Sequence, residues 1–315
     1  MRVGLMLPPG GEQGEVTGLA RTAEASGFDF LACGEHVFFH GPTASAFIAL
    51  AAAAGATSSI RLLSALTVLP LYPVALAAKM IATLDGVSGG RFELGVGVGG
   101  EYPAEFEACG VPVTERGRRT DEALALLSRL LRGEPVHFAG RYTTVSGQRL
   151  QPATVQRPRP PIWIGGRREA AMRRAGRYGD VWLPYLVTPA QVASGLATAR
   201  SAAADDGRQP LELRGAVFCW SAVGQDGNWA RRTAADTVSG IYQQDLRPRA
   251  DRYLLAGTPA EVAGRLAEYA AAGAGSVVFA PACPPADLKL MIATFASEVL
   301  PQVRSAPDSG GPGRA

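Results

Sequence analysis

Two of the chain's three histidines, His36 and His40, stand in one short stretch, Gly34-Glu35-His36-Val37-Phe38-Phe39-His40. Imidazole is the side chain whose proton exchange suits near-neutral pH, so a loop histidine beside an acid points to proton transfer. The plainer role, a hydrogen bond that ties down the rim of a fold, is weighed against it; the loop position and the acid favour chemistry at His36. A second stretch, Gly95-Val96-Gly97-Val98-Gly99-Gly100-Glu101-Tyr102, is dense in glycine and lets backbone approach a flat or anionic ligand closely. It is not the dinucleotide fingerprint, because Pro103 and Glu105 follow at once. A third, Ile164-Gly165-Gly166-Arg167-Arg168-Glu169, runs from an apolar segment through a glycine pair into a helical pattern. Free N–H groups at a helix start, with arginines beside them, attract anions. Arg116, Arg118 and Arg119 are further candidates for an anion, or equally for pairing with Glu115, Asp121 or Glu122.

These stretches are positioned by a repeating theme of apolar run, polar or glycine-rich turn, and helical pattern. Strands are expected over Arg2–Leu7, Phe28–Cys33, Ile60–Val68, Arg91–Val96, Ile162–Ile164, Asp180–Leu183, Leu211–Trp220 and Ser276–Phe279. Between them, Val16, Leu19, Ala20 and Ala23 recur at helical spacing before Gly27, and Pro73 opens a helix that ends before Ser88-Gly89-Gly90. Leu124, Leu127, Leu130 and Leu131 stripe another, and Leu288, Met291, Ile292, Phe295 and Val299 make a closing amphipathic helix. Eight strands alternating with helices predict an α/β fold with a parallel sheet, closed as a (β/α)8 TIM barrel, with an open doubly wound sheet as the competing topology. Gly133 to Pro161 lacks helical period and reads as an insertion between helix 4 and strand 5, with room for a small hairpin. One barrel domain over 1–304 and a flexible Gly/Pro/Ser-rich tail over 305–315 follow.

In such a barrel the ligand site lies at the C-terminal ends of the strands, where all three glycine or histidine stretches fall. The composition narrows what that site can be. With 31 basic and 28 acidic residues the net charge is +3, spread along the chain, which argues against a nucleic-acid partner. No apolar run reaches the length of a membrane span, and Pro8 and Pro9 interrupt the N-terminal one, so a soluble cytoplasmic protein is expected. Cys33, Cys109, Cys219 and Cys283 are far apart and read as free thiols, mostly buried, with no metal site. An aldolase-like barrel needs a well-placed lysine, but the only lysines, Lys79 and Lys289, fall within predicted helices.

Taken together, the ordered motifs resemble the luciferase-like monooxygenase family. They are Glu24 to Asp29, Gly34-Glu35-His36, Pro73 to Lys79, Ala82 to Phe92 with Leu94 to Gly97, Glu115 to Glu122, Pro160 to Gly166 and Gly179 to Trp182. Their order holds from residue 1 to about 300. The resemblance implies a barrel that holds either FMN or the deazaflavin F420 at its mouth, with His36 near the reactive ring and a phosphate site near Gly165, Gly166 and Arg167. It implies a glutamate after the fourth strand that works with the histidine, for which Glu101 is the candidate. It also implies a non-prolyl cis peptide within Ser64-Ala65-Leu66-Thr67, placed at Ala65–Leu66. Gly97, Gly99, Gly100 and Arg116 complete the expected cofactor contacts, and Phe38, Phe39 and Trp182 the expected substrate pocket.

The activity so implied is hydride transfer between F420 and a small organic substrate. One alternative is an FMN-dependent monooxygenase that takes reduced flavin from a partner reductase and reacts it with oxygen. Another is a flavin-binding subunit without catalysis of its own, which His36 and Glu101 argue against. A homodimer is the oligomeric state that the resemblance implies.

Overall fold

The structure is a computed structural model that describes residues 1–8 and 15–305. The expected tail, apart from Ser305, and the segment 9–14 lie outside the described residues. The strands in chain order are β1 (Arg2–Met6), β2 (Phe30–Cys33), β3 (Arg61–Ser64), β4 (Thr67–Val68), β5 (Phe92–Gly97), β6 (Pro135–Ala139), β7 (Thr144–Arg149), β8 (Ile162–Gly165), β9 (Val181–Leu183), β10 (Arg214–Val223), β11 (Leu255–Gly257) and β12 (Ala274–Pro281). Eight of them pair in parallel in the circular order β1-β2-β3-β5-β8-β9-β10-β12, and β12 returns to β1. The sheet is therefore a closed eight-stranded parallel barrel, and the open-sheet alternative is excluded.

The helices are α1 (Val16–Ala25), α2 (Ala46–Ala56), α3 (Val74–Val87), α4 (Pro103–Ala108), α5 (Arg116–Leu130), α6 (Glu169–Tyr178), α7 (Pro189–Asp205), α8 (Gly227–Tyr242), α9 (Ala250–Tyr253), α10 (Pro259–Ala271), α11 (Leu288–Thr294) and α12 (Leu300–Ser305). Local signals set their ends. Gly27 sits at φ +81, and the Phe28 N–H closes α1 by donating to the Ala23 carbonyl at 3.0 Å. Thr188 with Gln191 and Thr258 with Glu261 form capping boxes that open α7 and α10. Among the described residues no helix is long and apolar enough to cross a membrane.

The barrel strands are buried on both faces, which is why they read as continuous apolar runs. The expected third strand, Ile60–Val68, is two pieces: it breaks at Ala65–Leu66, a non-prolyl cis peptide, and resumes as β4 against β5. The expected insertion contains an antiparallel hairpin, β6–β7. Its tip is held to α5 by Glu122, whose carboxylate accepts from the N–H groups of Arg141 (2.6 Å) and Tyr142 (2.9 Å). Its return is held to α3 by the fully buried Asp85, which accepts from the N–H groups of Val155 and Gln156.

A second excursion was not expected. After β10 the chain does not enter the helix that packs the barrel wall; it first makes α8, α9 and β11, and β11 pairs with the end of β10, from Ser221 to Val223. Only then does α10 descend to β12. Because β11 meets the C-terminal end of β10, α8 is carried to the barrel mouth.

Candidate active site at the barrel mouth

The loop after β2 delivers His36. Its Nδ1 lies 3.2 Å from both carboxylate oxygens of Glu105, and Oε2 of Glu105 also accepts from the Val37 N–H at 3.1 Å. Glu105 is fully buried, in the first turn of α4 just after Pro103. A carboxylate only accepts, so the Nδ1 of His36 donates to it, and in the neutral imidazole that leaves the lone pair at Nε2. Phe39 stacks on the imidazole, with centroids 4.3 Å apart and planes 16° apart, and the Thr43 hydroxyl donates across the loop to the His36 carbonyl at 2.9 Å. The ring is thus fixed in tautomer and plane, while its side chain stays 20% exposed.

Glu101, the acid expected to partner His36, is placed elsewhere. It accepts from the Tyr185 hydroxyl across the mouth, and Glu105 occupies the position beside the histidine. The turn explains the exchange. Gly99 (φ +60) and Gly100 (φ +100) swing the chain outward at Glu101, and Pro103 then starts a helix that turns Glu105 and Phe106 back inward. A proline at the first helical position followed by an acid in the first turn was the available signal for Glu105.

Glu35 does not face His36. Its buried carboxylate accepts from the Val68 N–H (3.0 Å), the Tyr72 hydroxyl (3.0 Å) and the Ala46 N–H (3.3 Å), so it ties the loop's start to its end at α2 and to β4. Burial, against those hydrogen bonds and with the charge of Glu105 adding to it, raises its pKa above the ordinary value. Burial also pushes the Cys33 thiol up to about 12, which leaves it protonated and removes it as a nucleophile at this end of the barrel.

The bulge around the cis peptide accounts for several of the glycines. The Ser64 hydroxyl donates to the Gly95 carbonyl and accepts from the Gly95 N–H, in place of a strand-to-strand ladder. A Cβ at Gly95 would stand 1.9 Å from the Ser64 carbonyl oxygen, and one at Gly165 2.0 Å from Cδ1 of Leu66. A Cβ at Gly97 would meet Leu66 Cβ at 3.3 Å. Gly97 and Gly165 therefore make room for Leu66 of the bulge. Gly99 is filled from below by Val68 and Phe106, and Gly100 by the Arg116 side chain, whose Nε would lie 2.7 Å from a Cβ there.

Arg116 donates to the Val113 carbonyl (2.7 Å). Gly166 stands at φ +114, and Arg167 donates to the Leu186 carbonyl (3.2 Å) while covering the Tyr185 ring at 5.2 Å. Among the described residues neither arginine is ion-paired, whereas Arg119 pairs with Glu115 and Arg174 with Asp121. Of the expected pocket residues, Phe39 faces the site and Phe38 is 52% exposed. Trp182 is corrected: it is fully buried, its Nε1 donates to the Gly166 carbonyl at 2.9 Å, and its ring reaches Gly195 of α7. It belongs to the layer between barrel and helices, because alternation along β9 turns it outward.

Further aromatic residues complete the mouth. Phe39 meets Tyr102 and Tyr242 edge-on at 6.4 and 6.3 Å, and the Trp220 Nε1 donates to the Tyr242 oxygen at 3.2 Å. Tyr242 arrives on α8, so the second excursion closes this side. Burial, with Glu101's charge adding and the Trp220 bond and Arg167 opposing, pushes its phenol up to about 12, so it is a neutral donor. The mouth has two unlike halves: an aromatic one around His36, and a cationic, glycine-rich one with Arg116 and Arg167. A larger cleft of about 360 Å³ lies away from His36, between α8 and α10, and its arginines Arg231 and Arg265 already pair with Glu261 and Glu268.

Comparison with known proteins agrees with this architecture. An uncharacterized protein of Mycobacterium tuberculosis is 34% identical over 151 residues, 48% of this chain, and the match spans about half, 51%, of that relative. The monooxygenase RslO1 from Streptomyces bottropensis superposes with a TM-score of 0.83 at 26% identity, covering 96% of this chain and 99% of that one. The F420-dependent tetrahydromethanopterin reductase from Methanopyrus kandleri has the same fold, with a TM-score of 0.81 at 21% identity over 96% and 99% of the two chains. The family model for luciferase-like monooxygenases matches residues 1–276, and the chain belongs to that family of oxidoreductases.

Proposed function

We propose that this chain is an oxidoreductase that binds F420 at the barrel mouth and transfers hydride between it and a small organic substrate, with His36 as the proton-transfer group. The observation that carries the reading is the His36–Glu105 pair. It is a histidine fixed in tautomer by a buried carboxylate, with its other nitrogen at the mouth.

The residues fit a ring-and-tail cofactor. Ser64, Ala65 and Leu66 present the bulge, and the Thr67 hydroxyl beside it is buried without a hydrogen-bond partner among the described residues. Arg116 and Arg167, neither ion-paired among the described residues, are the cations proposed for an acidic tail, next to the backbone of Gly99, Gly100, Gly165 and Gly166. When bound, the cofactor supplies a carbon that donates or accepts hydride. His36 then takes or gives the substrate proton at Nε2, and Glu105 steadies the imidazolium formed in that exchange. Phe39 and Tyr242 keep water from that side of the ring.

A second reading, an FMN-dependent monooxygenase served by a separate reductase, is favoured by the likeness to RslO1. Titration with F420 and with FMN, followed by turnover with and without oxygen, separates the two. F420 binding with oxygen-independent turnover supports the first; tight FMN binding with oxygen-dependent product overturns it. We further propose a homodimer through α2 and α3. Ile48 and Leu76 are 73% and 52% exposed on these adjacent helices, and α2 is apolar around its circumference. Light scattering that gives one chain per particle would remove this proposal.

A further inference from the structure

The loop that carries His36 is joined to the bulge at Ala65–Leu66 by successive residues. The Cys33 carbonyl accepts from the Ala65 N–H at 2.6 Å, on the near side of the bulge. Gly34 follows, and a Cβ there would stand 3.1 Å from the Ala65 carbonyl oxygen, so the two backbones touch. Glu35 then reaches the far side, where its buried carboxylate accepts from the Val68 N–H at 3.0 Å. The other oxygen of that carboxylate accepts from the Tyr72 hydroxyl (3.0 Å) and from the Ala46 N–H (3.3 Å), where the loop ends at α2. Both ends of the loop and both sides of the bulge therefore meet at residues 33–35, and His36 is the next residue. The Glu105 carboxylate holds the His36 ring from α4 and, among the described residues, makes no hydrogen bond to β3, β4 or the bulge.

We infer that Glu35 is a positioning residue, which sets the spacing between His36 and the bulge proposed to seat the redox ring. The inference deepens the proposed function and rests on it. The two acids then divide the work: Glu105 orients the imidazole, and Glu35 fixes where the loop that bears it stands. Such spacing matters because a misplacement of about 1 Å can slow a chemical step about 10²-fold. Reach, rather than charge, is what the position requires, since the Val68 N–H is neutral and any acceptor of the right length can take it.

Three substitutions in the full-length chain separate reach from charge and from stability. Glu35→Asp keeps the charge and draws the carboxylate back by one carbon–carbon bond, about 1.5 Å. Glu35→Gln loses the charge and keeps the reach, with its amide oxygen on the Val68 N–H and its NH2 on the Tyr72 oxygen. Tyr72→Phe removes one donor and leaves the link to Val68. With only three histidines in the chain, the His36 imidazole can be followed by NMR in the cofactor-free protein, and His137 on the β6–β7 hairpin serves as internal reference. Glu35→Asp is expected to displace the His36 ring signals, to lower kcat of F420 turnover about 10–100-fold, and to leave F420 affinity within about threefold of native. Glu35→Gln and Tyr72→Phe are expected to lower Tm while keeping native His36 signals and a kcat within about threefold. The reverse order, with Gln damaging and Asp tolerated, makes the role electrostatic and overturns the inference; so do native His36 signals in Glu35→Asp. If Glu35→Asp does not fold, Glu35→Gln decides alone: displaced His36 signals overturn the inference and native ones support it. If Glu35→Asp displaces His36 but neither F420 nor FMN binds, the redox reading fails and the positioning stands. If F420 turns over in Glu35→Asp at the native rate, the positioning fails alone.

Discussion

Two buried carboxylates sit at opposite ends of this barrel and are provided for differently. Glu93, at the N-terminal end of β5, meets Arg2 at 3.0 Å, Arg61, and the Trp163 Nε1 at 2.6 Å. Burial alone would raise its pKa, but the two guanidinium groups more than offset that and hold it below the usual carboxylate range. Glu105, at the C-terminal end, has among the described residues only the imidazole of His36 and one backbone N–H. Glu93 is closed on every side by permanent cations and donors, whereas Glu105 is closed on one side by a group that can lose its proton. The base is built to stay as it is, and the mouth holds the one partner suited to the proton exchange proposed for it.

The largest expected effect comes from removing the exchangeable group. His36→Ala should lower kcat by about 10²–10⁴-fold while thermal stability stays close to native, as steady-state kinetics and calorimetry will show. Glu93→Gln should do the reverse. It leaves two cations facing a neutral amide, costs on the order of 3–5 kcal/mol in urea unfolding, and spares kcat.

The pH dependence carries the same contrast. Glu93 has a lowered folded pKa, so its stabilisation is present above about 4.5 and is lost as pH falls through its folded value. Acid unfolding of Glu93→Gln should accordingly show a flatter acid limb. Glu35, with a raised pKa, contributes in the opposite sense: its share is present below about 4.5 and fades as pH rises through its folded value. Glu35→Gln should flatten that upper limb.

Smaller effects sharpen the mouth itself. Glu105→Gln should lower kcat roughly tenfold to a hundredfold, because the imidazole loses the partner that orients it. Glu101→Gln, at an exposed acid on Tyr185, should change it by roughly fivefold or less. If Glu101→Gln proved the more damaging, the assignment of Glu105 as the orienting acid would be wrong.

Most of the barrel was legible in the sequence because parallel strands buried on both faces leave unbroken apolar runs. The placement of His36 at the mouth was legible because it lies in a strand-to-helix loop. The second excursion was not, since α8 carries the same kind of helical pattern as a wall helix and β11 has only three residues. Glu105 was hidden by the turn at Gly99 and Gly100, which decides the acid that faces inward and leaves no periodic trace. The glycines of β5 and β8 were visible as glycines, but their neighbour Leu66 is distant in sequence and could not be inferred from spacing. Trp182 misled because a large aromatic near a strand end looks the same whether it faces the mouth or the helices.

The crowding around Leu66 ties together segments of chain far apart in sequence. Positions 66, 97 and 165 share one volume, so they behave under mutation as a single locus. A methyl added at 165 alone collides with Leu66, yet a smaller residue at 66 vacates the space it needs. What position 165 tolerates therefore depends on what stands at 66, and position 97, where a Cβ would meet Leu66 only at 3.3 Å, depends on it less. A library that randomises them one at a time will miss that dependence, and a paired library will show it.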